Sequence, residues 1–314
     1  MAAVSERAGG LPAAAAGTRG ADASSARAWL LAARPQTLAA GVAPVLLGTA
    51  LAAADGRVRT GLALAAVATA LLLQIGTNFA NDLFDFEKGA DTEERLGPLR
   101  AVATGLLTPV QMRIGTALVF AAAGMTGAFL VWAGGWPFAV LGLLALLAGL
   151  GYTAGPWPLA YHGLGDATVF AFFGVVAVAG TYAVQAHALS SQALLASLPS
   201  ACLVTAILAV NNLRDIDTDA RAGKRTLAVR IGRSATRAYC TALFALAYAG
   251  LAALVAAGEL GPAALLAFAT LPLALRAART VLTQRDGPAL NQALVLTART
   301  HAAFTLLLAA AVLA

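Results

Sequence analysis

Nine apolar stretches, each close to the length needed to cross a bilayer, dominate this chain. They run over roughly 36–54, 61–83, 109–133, 136–154, 165–188, 193–213, 234–257, 261–282 and 292–313, and a membrane-spanning helix takes about 20 residues, with a range of about 17–25. In lipid a backbone must satisfy its own hydrogen bonds, and a helix does so within one segment. Charge supports the same reading. Only 11% of residues are charged and 60% are hydrophobic, against about 25% charged in a soluble domain. The expected fold is therefore an all-α, polytopic membrane bundle of nine transmembrane helices.

Residues 1–27 are rich in Ala, Gly and Ser and carry Arg7, Arg19 and Arg27. They read as a disordered cytosolic tail, with residues 28–314 as the membrane domain. A secretory signal would need a continuous apolar core, and none precedes Ala28. An organelle transit peptide is the alternative for such a segment. Cys202 and Cys240 fall within or beside apolar segments and form no metal or disulfide pattern.

The net charge of +6 points to membrane topology, with no nucleic acid as partner. With the N-terminus in the cytoplasm, the tail, the 2–3, 6–7 and 8–9 connections and their flanks hold all the Lys and Arg except Arg57 and Arg59. This is the positive-inside pattern. It predicts a protein integral to the cell membrane, plasma or inner, with its N-terminus and active-site loops cytoplasmic.

Charged residues inside a membrane protein are costly and usually mark a site. Two acidic stretches end the second and sixth spans: Asn78-Phe-Ala-Asn81-Asp82-Leu-Phe-Asp85-Phe-Glu-Lys-Gly-Ala-Asp91 and Asn211-Asn212-Leu-Arg214-Asp215-Ile-Asp217-Thr-Asp219. Asn78, Asn81, Asp82 and Asp85 follow i, i+3, i+4, i+7 spacing and share one helical face, as do Asn212, Asp215 and Asp219. Gly89 is expected to end the first helix, letting Asp91 turn back towards the others. Oxygen ligands suit Mg²⁺, and Mg²⁺ suits phosphate groups. The residues thus point to a diphosphate held by metal between two helix ends. Arg214, Lys224 and Arg225 can neutralise phosphate charge, whereas Arg221, Arg230, Arg233 and Arg237 read as solvated or lipid-facing. His162, Arg276, Arg279 and Asn291 read as structural, and Phe79 and Phe84 as packing. A cation-coupled transporter also places Asp and Asn on membrane helices, but its site usually lies at the midplane, and these acids cluster at one surface.

The two stretches, the second continuing through Ala222-Gly-Lys224-Arg225-Thr-Leu-Ala-Val-Arg230-Ile-Gly232, resemble the paired signatures of the UbiA superfamily of intramembrane prenyltransferases. Further segments resemble its 1,4-dihydroxy-2-naphthoate branch in menaquinone synthesis: Arg34-Pro-Gln-Thr37, Gly97-Pro-Leu-Arg100, Thr104-Gly-Leu-Leu-Thr108-Pro109, and Tyr152-Thr-Ala-Gly-Pro156-Trp-Pro158 leading to Gly163-Leu-Gly-Asp166. The resemblance covers about residues 30–310. It implies a UbiA-like fold, Mg²⁺ as cofactor, and polyprenyl diphosphate and 1,4-dihydroxy-2-naphthoate as substrates met in membrane lipid. Acceptors such as 4-hydroxybenzoate, homogentisate or a tetrapyrrole remain open. By position, Asn81, Asp82, Asp85 and Asp91 would bind one Mg²⁺ and the diphosphate, and Asp215 and Asp219 a second Mg²⁺. Arg100 and Lys224 would contact diphosphate oxygens. Arg34, Asn212, Arg214 and Arg225 join the diphosphate side, with Asn78 added from helical phase. Tyr152 and Asp166 would stand near the aromatic acceptor, Tyr152 also being a candidate for cation–π stabilisation. Asp166 departs from the pattern, which expects Glu, and the six-residue step from Asp85 to Asp91 fits the naphthoate branch.

Overall fold

The computed structural model describes residues 25–90, 97 and 99–314. Among these every regular element is helical. Helix α1 covers Ser25–Ala33, so its first turn takes up the last residues of the expected tail. Then come α2 (Pro35–Ala54), α3 (Thr60–Glu87), α4 (Pro109–Gly134) and α5 (Trp136–Gly151). A one-turn 3₁₀ helix, Leu159–His162, precedes α6 (Gly165–Ala186), and α7 (Ser191–Arg214), the short α8 (Ile216–Arg221) and α9 (Leu227–Ala256) follow. Helices α10 (Pro262–Thr283) and α11 (Gly287–Val312) close the chain.

Eight of these helices are long and apolar enough to span a membrane, and α5 is a ninth apolar helix of 16 residues. The expected 136–154 span is thus shorter, because the chain leaves the helix at Tyr152 to build the connection over the site. The seventh span starts earlier than expected, at Leu227, but Gly232 (φ 80°) breaks it. Local chemistry sets other boundaries. A capping box of Thr108 and Gln111 starts α4, and left-handed Gly89 (φ 68°) follows the end of α3.

The main core is shared by α2, α6, α7, α9, α10 and α11. Small residues set how closely these helices approach. A Cβ on Gly174 would fall 2.2 Å from that of Ala201, and one on Gly48 2.2 Å from the Val178 carbonyl oxygen. Between α7 and α11, Ser200 Oγ lies 3.2 Å from His301 Nε2 and 3.0 Å from Thr305 Oγ1. A second core joins α1, α3, α4 and residues 101–107, with Trp29 against Phe79 at 5.2 Å. Phe79 and Phe84 both serve this packing.

Candidate active site

A cavity of about 1600 Å³ runs through the bundle. Its apolar part is lined by residues such as Leu73, Leu141, Phe172, Phe173, Ala177 and Gly180. Its polar end receives both acidic motifs. Asn78, Asn81 and Asp85 come from α3, Asn212 from α7, and Asp215 and Asp219 from its end and from α8. Arg34, Arg100, Tyr152 and Lys224 line the same cavity.

Asp85 is 1% exposed and lies among donors. Arg100 Nη2 donates to its Oδ2 at 2.8 Å, and Tyr161 Oη to its Oδ1 at 3.1 Å. Lys224 Nζ stands 3.7 Å from Oδ2. The Tyr161 ring packs under two ammonium groups, Lys88 at 4.6 Å and Lys224 at 5.4 Å. Lys88 Nζ also donates to the Thr153 carbonyl at 2.5 Å, and Thr153 Oγ1 donates to Asn81 Oδ1 at 2.9 Å. The connection after α5 is thereby fastened over the end of α3. Tyr161, Lys88 and Thr153 are the site residues that helical phase could not supply, because two of them lie in the connection after α5, Tyr161 within its single 3₁₀ turn.

Asp215 is bound differently. Arg214 Nε and Nη2 donate to its two oxygens at 2.7 and 2.6 Å, and the same guanidinium donates to Asn211 Oδ1 at 2.9 Å and Asn291 Oδ1 at 2.7 Å. Arg214 is buried behind Asp215 and does not line the cavity. It therefore holds Asp215 in place, a correction to its expected diphosphate contact, and Asn291 joins the site through it.

Other expected residues also move. Asp82 turns out of the cavity: its oxygens accept from Ala101 N at 2.9 Å and Val102 N at 3.0 Å. At about 100° per residue, Asp82 sits on the opposite edge of the stripe from Asn81, which aims it at the connection into α4. Asn78 lines the cavity but spends its amide on Ala33 O (2.9 Å) and Thr37 Oγ1 (3.2 Å). Asp166 is buried outside the cavity. Arg225 is exposed and does not reach the cavity. Arg276, Arg279 and Asn291, expected to be structural, all line it, whereas His162 stacks on Trp157 at 4.4 Å. Asp91 lies outside the described residues.

Two groups beyond the spans have shifted acidities. Burial, then the carboxylates Asp166, Asp85 and Asp219, push the Tyr152 phenol well above its ordinary value, so it is a donor and not a base. Burial lowers Lys88, with Asp85 opposing and Lys224 adding to the shift.

Among the described residues no three carboxylates converge on one metal-binding point. The oxygens stand instead on two facing walls. That suits Mg²⁺, which binds through one or two carboxylates plus substrate phosphates and keeps several waters, rather than in an all-protein cage.

The fold and site define a polytopic membrane protein built around one amphipathic cavity, with hard oxygen donors and cations gathered at one end. The chain belongs to the UbiA prenyltransferase family, whose model matches residues 41–312. It is 39% identical to the 1,4-dihydroxy-2-naphthoate octaprenyltransferase of Mycobacterium tuberculosis, over 82% of this chain and 87% of that one. The proteins of the same name in Haemophilus influenzae (41%, 70% and 74%) and Bacillus subtilis (33%, 88% and 88%) are also similar. Among solved structures, a UbiA homologue from Archaeoglobus fulgidus bound to DMAPP and Mg²⁺ shares the fold. The TM-score is 0.63 at 14% identity, over 89% of this chain and 98% of that one.

Proposed function

We propose that the protein transfers a polyprenyl group from polyprenyl diphosphate to 1,4-dihydroxy-2-naphthoate, releasing diphosphate and CO₂ and forming demethylmenaquinol. The observation that carries this reading is the cavity itself. A long apolar bore suits an isoprenoid chain, and it ends at carboxylates, carboxamides and cations suited to a metal-bound diphosphate. The names of the relatives support the acceptor.

Mg²⁺, when bound, supplies charge that stabilises the departing diphosphate. Asn81, Asp85, Asp215 and Asp219 would hold it, with Asp91 as a further ligand. Lys224 and Arg100 donate to diphosphate oxygens as negative charge builds there, the form of electrostatic stabilisation that costs least reorganisation. Tyr161 and Arg214 hold Asp85 and Asp215 respectively. The allylic C–O bond breaks, leaving a cation beside the Tyr152 ring, whose neutral face attracts it. The acceptor carbon bearing the carboxylate bonds to the cation. The C–CO₂⁻ bond then breaks and its electron pair restores the aromatic ring. The polar end faces the cytoplasm of the cell membrane, where both the diphosphate and the acidic acceptor are found.

The test is transfer by purified protein in nanodiscs from a labelled prenyl diphosphate. Product with 1,4-dihydroxy-2-naphthoate, lost on adding a chelator and regained with Mg²⁺, is expected. Transfer only to 4-hydroxybenzoate or homogentisate would move the acceptor. Absence of transfer to any aromatic would remove the reading.

A further inference from the structure

The cavity has a second cationic wall that the acidic motifs do not use. Arg276 and Arg279 lie one turn apart on α10, and Arg299 lies on α11, the helix packed against it after a short connection. All three side chains line the cavity and are exposed. Among the described residues, none of the three guanidinium groups has a protein hydrogen bond or ion pair. Three arginines elsewhere in the described residues are held by carboxylates: Arg214 grips Asp215, Arg233 pairs with Asp217, and Arg113 pairs with Glu87.

The wall is also where the cavity opens sideways. Gln36 and Ala39 of α2, with Gln292 and Val295 of α11, both line it and are exposed. They sit on segments long and apolar enough to span a membrane. Arginine in such a segment is expensive without an anion. At 1.5 Å per residue, Arg279 and Arg276 stand about 6 and 10 Å from the end of α10, and Arg299 about 18 Å from the start of α11. The three form a staggered cationic rim on a lateral mouth that leads to the polar end.

We infer that Arg276, Arg279 and Arg299 form a docking site for the diphosphate head of the isoprenoid donor, which enters from the bilayer before reaching the acidic motifs. The identity of the donor rests on the prenyl-transfer reading. The occupant follows from continuity and charge. The rim is continuous with an apolar bore suited to an isoprenoid chain, and a diphosphate offers the guanidinium groups several charged oxygens at once. Docking here needs no metal, because the rim supplies only cations.

The experiment measures binding of farnesyl diphosphate to the full-length protein in phosphatidylcholine nanodiscs, without acceptor, in Mg²⁺ and in EDTA. Wild type is expected to bind in both. In EDTA, the R276Q/R279Q/R299Q variant should bind about tenfold more weakly or worse. The R276K/R279K/R299K variant should keep most of the affinity, and R285Q, outside the cavity, all of it. Farnesol should bind the Gln variant as it binds wild type, which shows that the bore is intact. Binding in Mg²⁺ but not in EDTA would overturn the docking site while leaving the proposed reaction standing. No binding in either condition would remove both. Equal competition by phosphatidylglycerol would make the rim an ordinary phospholipid contact and overturn the assignment.

Discussion

Asp85 shares its two oxygens among Arg100, Tyr161 and Lys224, so its orientation is fixed before any ligand arrives. Tyr161 is the neutral member of this set, and its removal is the cleanest probe of that orientation. A hydrogen bond to a charged group is worth about 1.5–3 kcal/mol. Tyr161→Phe should therefore lower kcat/KM for prenyl transfer about tenfold or more and raise the Mg²⁺ concentration needed for half-maximal rate. An unchanged Mg²⁺ requirement would show that Asp85 needs no such support. Asp82 makes a different prediction, although it is only three residues away. Its oxygens satisfy two backbone N–H groups in a buried turn, and leaving a buried donor unsatisfied costs about 1–3 kcal/mol. Asp82→Ala should lower the unfolding temperature of the detergent-solubilised protein. Wild-type thermal stability in this variant, with loss of Mg²⁺ affinity, would return Asp82 to the metal. Helical phase grouped Asp82 with Asn81 and Asp85 as one stripe. It could not say which edge of the stripe meets a loop, because that depends on where residues 99–108 return.

At the scale of elements, the segment after α8 separates two adjacent cations that look alike in sequence. Gly223 (φ 70°) turns the chain, Lys224 N donates to the Asp219 carbonyl at 2.8 Å, and the Lys224 side chain enters the cavity. Arg225 then faces outward, its carbonyl accepting from Arg230 Nε at 3.1 Å. Lys224→Gln should cost roughly 10²–10³ in kcat, the range for losing one preorganised donor to transition-state charge. Arg225→Gln should change kcat less than about twofold. Equal losses would mean that this turn rearranges on binding substrate. The helices themselves were legible because lipid forces long apolar segments to be helical. Less legible was where each one stops: α5 gives up its last turn to the connection carrying Tyr152, Thr153 and Tyr161. Two of those side chains bind α3, Thr153 from an irregular stretch and Tyr161 from a single 3₁₀ turn, and no periodicity marks them in advance.

For the whole molecule, orientation decides whether the site can meet its substrates. All the acidic-motif residues that line the cavity gather at one end of the bundle, together with Arg34, Arg100 and Lys224. The opposite end carries Arg57 and Arg59, where Arg59 N donates to Gln185 Oε1 at 3.1 Å and Arg57 Nη1 to the Ala186 carbonyl at 3.3 Å. The positive-inside rule sends the Arg-poor end outward. Substitutions R57C and R285C, each made in a C202S/C240A background, would place one thiol at each end. In intact cells, a membrane-impermeant maleimide should label R57C and should reach R285C only after lysis. The reverse pattern would put the diphosphate site outside, away from the soluble acceptor, and a bundle of this charge distribution would then need another force to set its topology. The expected pattern would instead divide access by chemistry: the apolar chain arrives sideways from lipid, and the anionic aromatic arrives from the cytoplasm. Neither substrate would have to cross the membrane, and one cavity with two entrances would be sufficient.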